Sequence, residues 1–361
     1  MARTRLGLDV GSTAVRVAEV SLGGTPVLVR AAQVPLPPGA VEAGEVRQPE
    51  LVAEALRELW RQGGVKGRQV HLGVGNQRVV VREVALPWLP EKELRDSLAF
   101  QVQEFIPMPP DEAVLDFDPL GEMDQGGRRM QRILLVAAHK AMINALVESV
   151  TAAKLEPLGI DLTPFAVVRA VGTGDEGLDL ETQGDEAVID IGAHVTTICV
   201  HERGVTRFVR ILPSGGRDIT LAIERGLGVD AQVAEALKRG EFVEPQRDQE
   251  GRPIELPAAE EIRRLALSRA GSFVDEVRSS LEFYAAQVPG ARIARVVVTG
   301  GGSRLDGLLE LMQERIPVSV DRGRLFERVK SELNLDAEAQ AEAEAMLSAA
   351  VGLAITARGR A

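Results

Sequence analysis

Apolar and polar positions along the chain alternate between short strand-like runs and longer helical stretches. Near the start, Leu6-Gly7-Leu8-Asp9-Val10 and Ala14-Val15-Arg16-Val17-Ala18-Glu19-Val20 flank a polar, glycine-containing turn, which predicts a β-hairpin with its chemistry at the tip. Half a chain later, Ala187-Val188-Ile189-Asp190-Ile191 and Val195-Thr196-Thr197-Ile198-Cys199-Val200 repeat the texture, with Asp190 in step with Asp9 and Gly192 with Gly11. A repeat at half the chain length is far longer than a solenoid period. It predicts two related lobes that face each other, with the ligand cleft between them.

Between the hairpins, Leu94, Leu98, Val102 and Phe105 share one helical face, opened by Pro87-Trp88-Leu89-Pro90 and stopped by Pro107-Met108-Pro109-Pro110. A strand over 114–117, a turn at Gly126-Gly127, a strand over 133–138 and a helix over 141–154 complete a β/α insertion in the first lobe. The apolar stripe is read first as the core of that insertion; Trp88, set between prolines, is a better candidate for a partner surface, with packing still its first expected role. After Gly215-Gly216 the spacing of Ile219, Ile223, Leu227, Val233 and Leu237 predicts helices, 244–257 a loop, and 258–287 a long amphipathic helix. A β-branched strand then runs into Gly300-Gly301-Gly302-Ser303 and a helix, a geometry that suits anions. Residues 336–349 are rich in Ala and Glu and predict a helix, whose small residues Ala350, Gly352 and Ala354 permit close packing on the other lobe. The expected division is 1–84 as first-lobe core, 85–156 as insertion, and 157–184 as the return to the first lobe. Second-lobe core follows over 185–215 and 289–340 around a helical insertion at 216–288, and 341–361 is a C-terminal helix packing back on the first lobe.

The length of 361 residues suits two lobes at about 100–200 residues per domain. With 45% hydrophobic and only 3% aromatic residues, the cores fall to Val, Leu, Ile and Ala. A net charge of −11, with Arg scattered among Asp and Glu, speaks against nucleic acid as a partner. The lone Cys199 lies in a strand and reads as a buried thiol. Asp9 and the early glycines interrupt any signal-like apolar run, and no segment approaches the roughly 20 apolar residues a membrane helix needs. The expectation is a cytoplasmic protein without direct membrane insertion, reaching a membrane through partners.

An Asp-x-Gly turn sets a carboxylate beside backbone that approaches a phosphate without a Cβ in the way. One such turn says little. Two of them can clasp the β and γ phosphates of ATP from opposite sides, with Asp9 and Asp190 holding waters of a bound Mg²⁺. Gly11, Ser12 and Thr13 offer donors, and Arg16 has a planar fork for a phosphate oxygen, against the alternative of an ordinary turn with a surface arginine. Across the cleft stand Gly192, Ala193 and His194; the histidine is read either as positioning water or phosphate or as merely solvated. Gly215 and Gly216 are counted as cofactor-binding, and Gly300, Gly301, Gly302 and Ser303 form a turn that either lets an adenosine lie flat against the backbone or is only a tight strand-to-helix turn. No P-loop, Cys/His metal spacing or nucleophile elbow is present, so zinc and hydrolase chemistries have no support.

These features resemble the phosphate, adenosine and connecting motifs of the actin, sugar kinase and heat-shock chaperone ATPase superfamily. The resemblance implies an actin-like two-lobed α/β fold of duplicated ribonuclease-H-like domains. Within it, Ala85-Leu86-Pro87 leading to Glu93-Leu94, then Glu104-Phe105-Ile106-Pro107-Met108 and Asp111-Glu112-Ala113-Val114-Leu115-Asp116-Phe117, are similar to the PilM family of type IV pilus assembly, which is related to FtsA. An FtsA-type amphipathic tail is not expected here, since only 356–361 follow the last apolar residues.

The PilM resemblance implies an ATP-binding scaffold on the cytoplasmic face of the inner membrane that grips the N-terminal cytoplasmic peptide of PilN between the first lobe and its insertion. It leaves open contacts with other pilus assembly proteins, self-association, and whether ATP is hydrolysed at all, with at most slow turnover expected and no strong general base in the sequence. Within the superfold the helix bearing Glu276, Arg278 and Ser279 is expected to approach the adenine. Two departures stand out: Arg16 where a lysine is usual, and Phe100-Gln101 where Trp-Glu is usual. The rivals are an FtsA-like filament former, a small-molecule kinase of the same superfold and a nucleotide-free structural adaptor.

Overall fold

The computed structural model describes residues 3–173, 184–243, 256–288 and 290–356. The expected loop over 244–257 lies almost wholly outside the described residues, as does the tail beyond Thr356. In chain order the first half contains β1 (Arg3–Val10), β2 (Ala14–Leu22), β3 (Val27–Pro35), β4 (Val41–Glu42), β5 (Glu45–Val46), α1 (Pro49–Gly63), β6 (Gln69–Val74) and β7 (Val79–Pro87). It continues with α2 (Glu91–Gln101), β8 (Ala113–Gln125), β9 (Arg128–His139), α3 (Lys140–Ala152), β10 (Glu156–Leu162) and α4 (Thr163–Val171). The second half contains β11 (Asp185–Ile191), β12 (Thr196–Glu202), β13 (Val205–Leu212), α5 (Gly216–Leu227), α6 (Ala231–Lys238) and α7 (Ala259–Gln287). Then come β14 (Ile293–Thr299), α8 (Leu308–Arg315), β15 (Ser319–Arg322), α9 (Leu325–Arg328), β16 (Lys330–Ser331) and α10 (Ala337–Ile355).

The duplication anticipated from two hairpins extends to two whole sheets. In the first lobe the order is β10-β6-β1-β2-β3, with the small β16 on its edge, and in the second it is β13-β12-β11-β14-β15. In each, the opening strand pairs antiparallel with the second and parallel with the fourth. The hairpin registers match as well: Asp9 lies opposite Arg16 and Asp190 opposite Thr197. Both turns are closed by the same backbone bond, Gly11 N to Ala14 O at 3.1 Å and Gly192 N to Val195 O at 2.9 Å.

Helix ends follow local chemistry. Pro49 starts α1, where its missing N–H is not needed, and Gly64 ends it at φ 62. Asp336 caps α10 by accepting from Ala339 N at 2.9 Å, and Asp230 caps α6 by accepting from Gln232 and Val233.

The α10 helix joins the lobes. It packs with α4 between the two sheets, in a core that takes Ala18, Val20 and Leu28 from one sheet and Val188, Cys199 and Val297 from the other. Glycine makes that approach possible: a Cβ on Gly7 would lie 1.9 Å from Ala350 O, and one on Gly352 would lie 1.8 Å from Ala166 O. Cys199 is buried there, as expected.

The insertion is a three-stranded sheet, β7-β9-β8, covered by α2, with Leu94, Leu98, Val102, Phe117, Ile133 and Leu135 in its core. Two boundaries differ from the expected 85–156. The sheet begins at Val79, because the apolar alternation ahead of Pro87 is one continuous strand paired to β9. At the other end α3 buries Met142, Leu146 and Val150 in the first-lobe core beside α1, so it belongs to that lobe. Among the described residues no helix is long and apolar enough to cross a membrane.

Candidate functional site

Strand β1 ends in the first acidic turn and β11 in the second, and the two carboxylates are close enough to feel each other. Burial pushes the Asp190 carboxyl up to about 7, the charge of Asp9 adds to the rise, and Arg16 opposes it. Asp9 is itself raised by burial, against the guanidinium of Arg16, whose Nη1 donates to Asp9 Oδ2 at 3.3 Å. Asp9 retains 17% side-chain exposure, so it is recessed and still meets water. Arg16 is only 8% exposed, and its buried Nε has no hydrogen-bond partner. An orphaned charged donor beside a half-buried carboxylate fits an anion at that point.

Around Asp190 the backbone is packed so tightly that side chains are excluded. Gly300 has φ +86, and a Cβ there would lie 2.3 Å from Asp190 Oδ1; one on Gly302 would lie 2.5 Å from Ile191 Cγ2. A Cβ on Gly215 would lie 2.5 Å from Gly192 O. The second turn is stitched to the start of α5 by Gly216 N to Gly192 O at 3.0 Å and Arg217 N to Ala193 O at 2.8 Å. Asp218 Oδ2 accepts from Gly215 N at 2.9 Å, and the nearby Ser214 Oγ is buried without a partner. The fold therefore brings together Gly192, Ala193, Gly215, Gly216, Gly300 and Gly302 around Asp190. Gly301 lies outward, exposed, and Ser303 spends its hydroxyl on Gly300 O at 2.7 Å, closing its own turn.

Gly11, Ser12 and Thr13 form the first turn, with Thr13 exposed and its carbonyl accepting from Leu36 N at 2.9 Å. His194, in the second turn, accepts from Ala43 N of the first lobe at 3.3 Å through Nδ1. That bond makes Nε2 the protonated nitrogen, and burial with Arg217 nearby keeps the ring neutral by lowering its pKa.

Glu276, Arg278 and Ser279 sit on α7, and the contacts they make are within their own helix. Ser279 Oγ donates to Asp275 O at 2.9 Å, and Arg278 lies between Asp275 and Glu282. The polar group that does adjoin the glycines was not anticipated: Lys238 Nζ donates to Gly216 O at 3.1 Å, to Thr220 Oγ1 at 2.9 Å and to Glu235 Oε2 at 2.6 Å. Three acceptors match its three protons, so Lys238 holds the first turn of α5 against α6.

Among the described residues no group of three or more His, Cys, Asp or Glu is arranged to hold a metal directly.

Comparison with known proteins agrees with this architecture. The family described as Type IV pilus assembly protein PilM matches residues 7–358. A structure of a PilM–PilN type IV pilus biogenesis complex is similar, with a TM-score of 0.81 and 28% identity, covering 98% of both chains. MreB5 of Spiroplasma citri bound to ADP shares the fold at 13% identity, TM-score 0.55, over 98% of this chain and 95% of its own. The cell division protein FtsA of Streptococcus pneumoniae is 29% identical over 234 residues, 60% of this chain and 49% of FtsA. The chain thus spans about half the length of that curated relative.

Proposed function

Since the chain belongs to the PilM family of type IV pilus assembly proteins, we propose that it is an ATP-binding scaffold of that assembly. The observation that carries this reading is the pair of facing acidic turns, where Asp9 raises Asp190 and the buried Nε of Arg16 lacks a partner. The residues present fit a triphosphate. Gly11, Ser12, Thr13 and Arg16 would hold it from one side, and Gly192, Ala193, Gly215 and Gly216 from the other. Asp9 and Asp190 would hold Mg²⁺ through its waters, and the metal would supply neutralisation of phosphate charge. Gly300 and Gly302, with α5 and α6 braced by Lys238, would receive the adenosine. Arg16 replaces the usual lysine with a fork able to serve Asp9 and a phosphate oxygen together.

The scaffold's partner is the N-terminal cytoplasmic peptide of PilN, with attachment to the inner membrane through it. This rests on the likeness to the PilM–PilN complex and on the insertion, which presents Phe100 at 77% exposure and Trp88 at 37%. Trp88 is already ordered for contact: Arg129 lies 4.0 Å from its ring centre, and its Nε1 donates to Glu122 at 3.0 Å.

Calorimetry with ATP and Mg²⁺ tests the nucleotide half, with binding expected for the wild type and lost in Asp9→Ala and Asp190→Ala. Unchanged binding in both variants would remove the proposed site. Capture by an immobilised PilN N-terminal peptide tests the partner half.

A further inference from the structure

The β4–β5 hairpin lies between the second acidic turn and the base of the insertion, touching both. Its turn has two central residues, Ala43 at φ 49 and Gly44 at φ 76. Tight hairpins of this kind want Asn-Gly or Gly-Gly, because a Cβ at positive φ is strained. The alanine sits in the strained position, and it is the residue whose N–H reaches across the cleft to His194 Nδ1 at 3.3 Å.

The other side of the hairpin is tied to the insertion. Gly44 O accepts from Asn76 Nδ2 at 2.9 Å, and Glu45 Oε2 pairs with Arg78 Nη1 at 3.2 Å. Asn76 is 1% exposed and its amide is fully engaged: Oδ1 accepts from Arg78 N at 2.9 Å, and Nδ2 also lies 2.8 Å from Met142 Sδ. Residues 76–78 lead from β6 into β7. Val79 N donates to Asn76 O at 3.0 Å, and His139 N, where β9 leaves the insertion, donates to Arg78 O at 3.4 Å. An unbroken chain of polar contacts therefore runs from His194 through Ala43, Gly44 and Glu45 to both strands that enter and leave the insertion.

We propose that this hairpin is a relay through which the insertion senses the position of the second lobe, so that a nucleotide in the cleft alters the partner-bearing insertion. The nucleotide step rests on the function proposed above; the mechanical link does not. His194 is the gate. Its ring faces Arg217 and Asp218 of α5 and Glu42 of β4, and any movement of the second turn that withdraws Nδ1 frees the Ala43 amide. The strained turn then loses its tie to the second lobe and is held from the insertion side alone, so Asn76 and Arg78 face a looser partner.

Amide hydrogen exchange on the full chain tests the link without ligand. In His194→Ala the Ala43 amide is expected to exchange about tenfold faster, the effect of one lost hydrogen bond, with faster exchange also over 79–87 and 128–139. Glu45→Gln should loosen the same strands, and the double variant no more than the larger single effect. His194→Asn, which offers an oxygen near the place of Nδ1, should restore protection. It also keeps the test alive if the alanine variant folds poorly. Unaltered strands in a variant whose Ala43 amide has opened, or additive effects, would overturn the relay. With ATP and Mg²⁺ present, added protection over 79–87 and 128–139 is expected in the wild type and not in Glu45→Gln. If calorimetry shows no ATP binding, the nucleotide reading falls and the ligand-free result still decides the relay. If ATP binds and those strands do not respond, the relay alone falls.

Discussion

Asp190 is a carboxyl whose proton comes off near neutrality, held there by burial and by the charge of Asp9. A group whose pKa is raised by folding adds stability below its unfolded value, near 3.8, and that contribution is lost as pH rises through about 7. Asp190→Asn is therefore expected to melt a few degrees above the wild type at pH 8 without ligand, and to match it near pH 4. Calorimetric melting at the two pH values checks this. Gly300→Ala is expected to do the opposite, because its Cβ would strike Asp190 Oδ1 at φ +86; a loss on the order of 2–3 kcal/mol should appear in denaturant titration. Asp190 stood out in the sequence because it repeats Asp9 in the same register, with Gly192 repeating Gly11, and Gly300 because a run of three glycines ends a strand. Lys238, Ala43 and Asn76 did not, since each acts through a neighbour that only the fold supplies.

At the scale of elements, α10 shows how small residues set geometry. Gly352 lets its backbone lie against Ala166, and Gly7 lets β1 lie against Ala350, so neither position has room for a side chain. Gly352→Ala is expected to cost about 3 kcal/mol or to prevent folding, whereas Ala343→Gly, earlier on the same helix, should cost no more than about 1 kcal/mol. Chemical denaturation of the two variants separates close packing from helix propensity. The long helices, the β8–β9 hairpin and the triple-glycine turn could be read from periodicity because each is long or punctuated. The two-residue strands β4 and β5 are too short to carry a period, which is why the hairpin that spans the cleft left no trace in the pattern. The helix α3 was recognised but assigned to the insertion, since its burial partners on α1 lie far away in sequence.

At the scale of the molecule, the lobes share an apolar core at their base, through α4 and α10, while polar groups face each other at the acidic turns. On the function proposed, a bound nucleotide would draw the lobes together about this base and bring the two carboxylates toward one site. On the same reading, a Mg²⁺-bound nucleotide would bind best with Asp190 charged, so below pH 7 binding would expel its proton, and the affinity for ATP should fall as pH falls, approaching tenfold per unit. Phosphate groups titrate in the same range, so the slope alone is ambiguous. Asp190→Asn resolves it. Calorimetry from pH 5.5 to 8 should show a steeper dependence, with more proton release between buffers of different ionisation enthalpy, in the wild type than in the variant. Equal slopes in the two proteins would mean that Asp190 does not titrate against the ligand and that the paired turns do not close on a common metal.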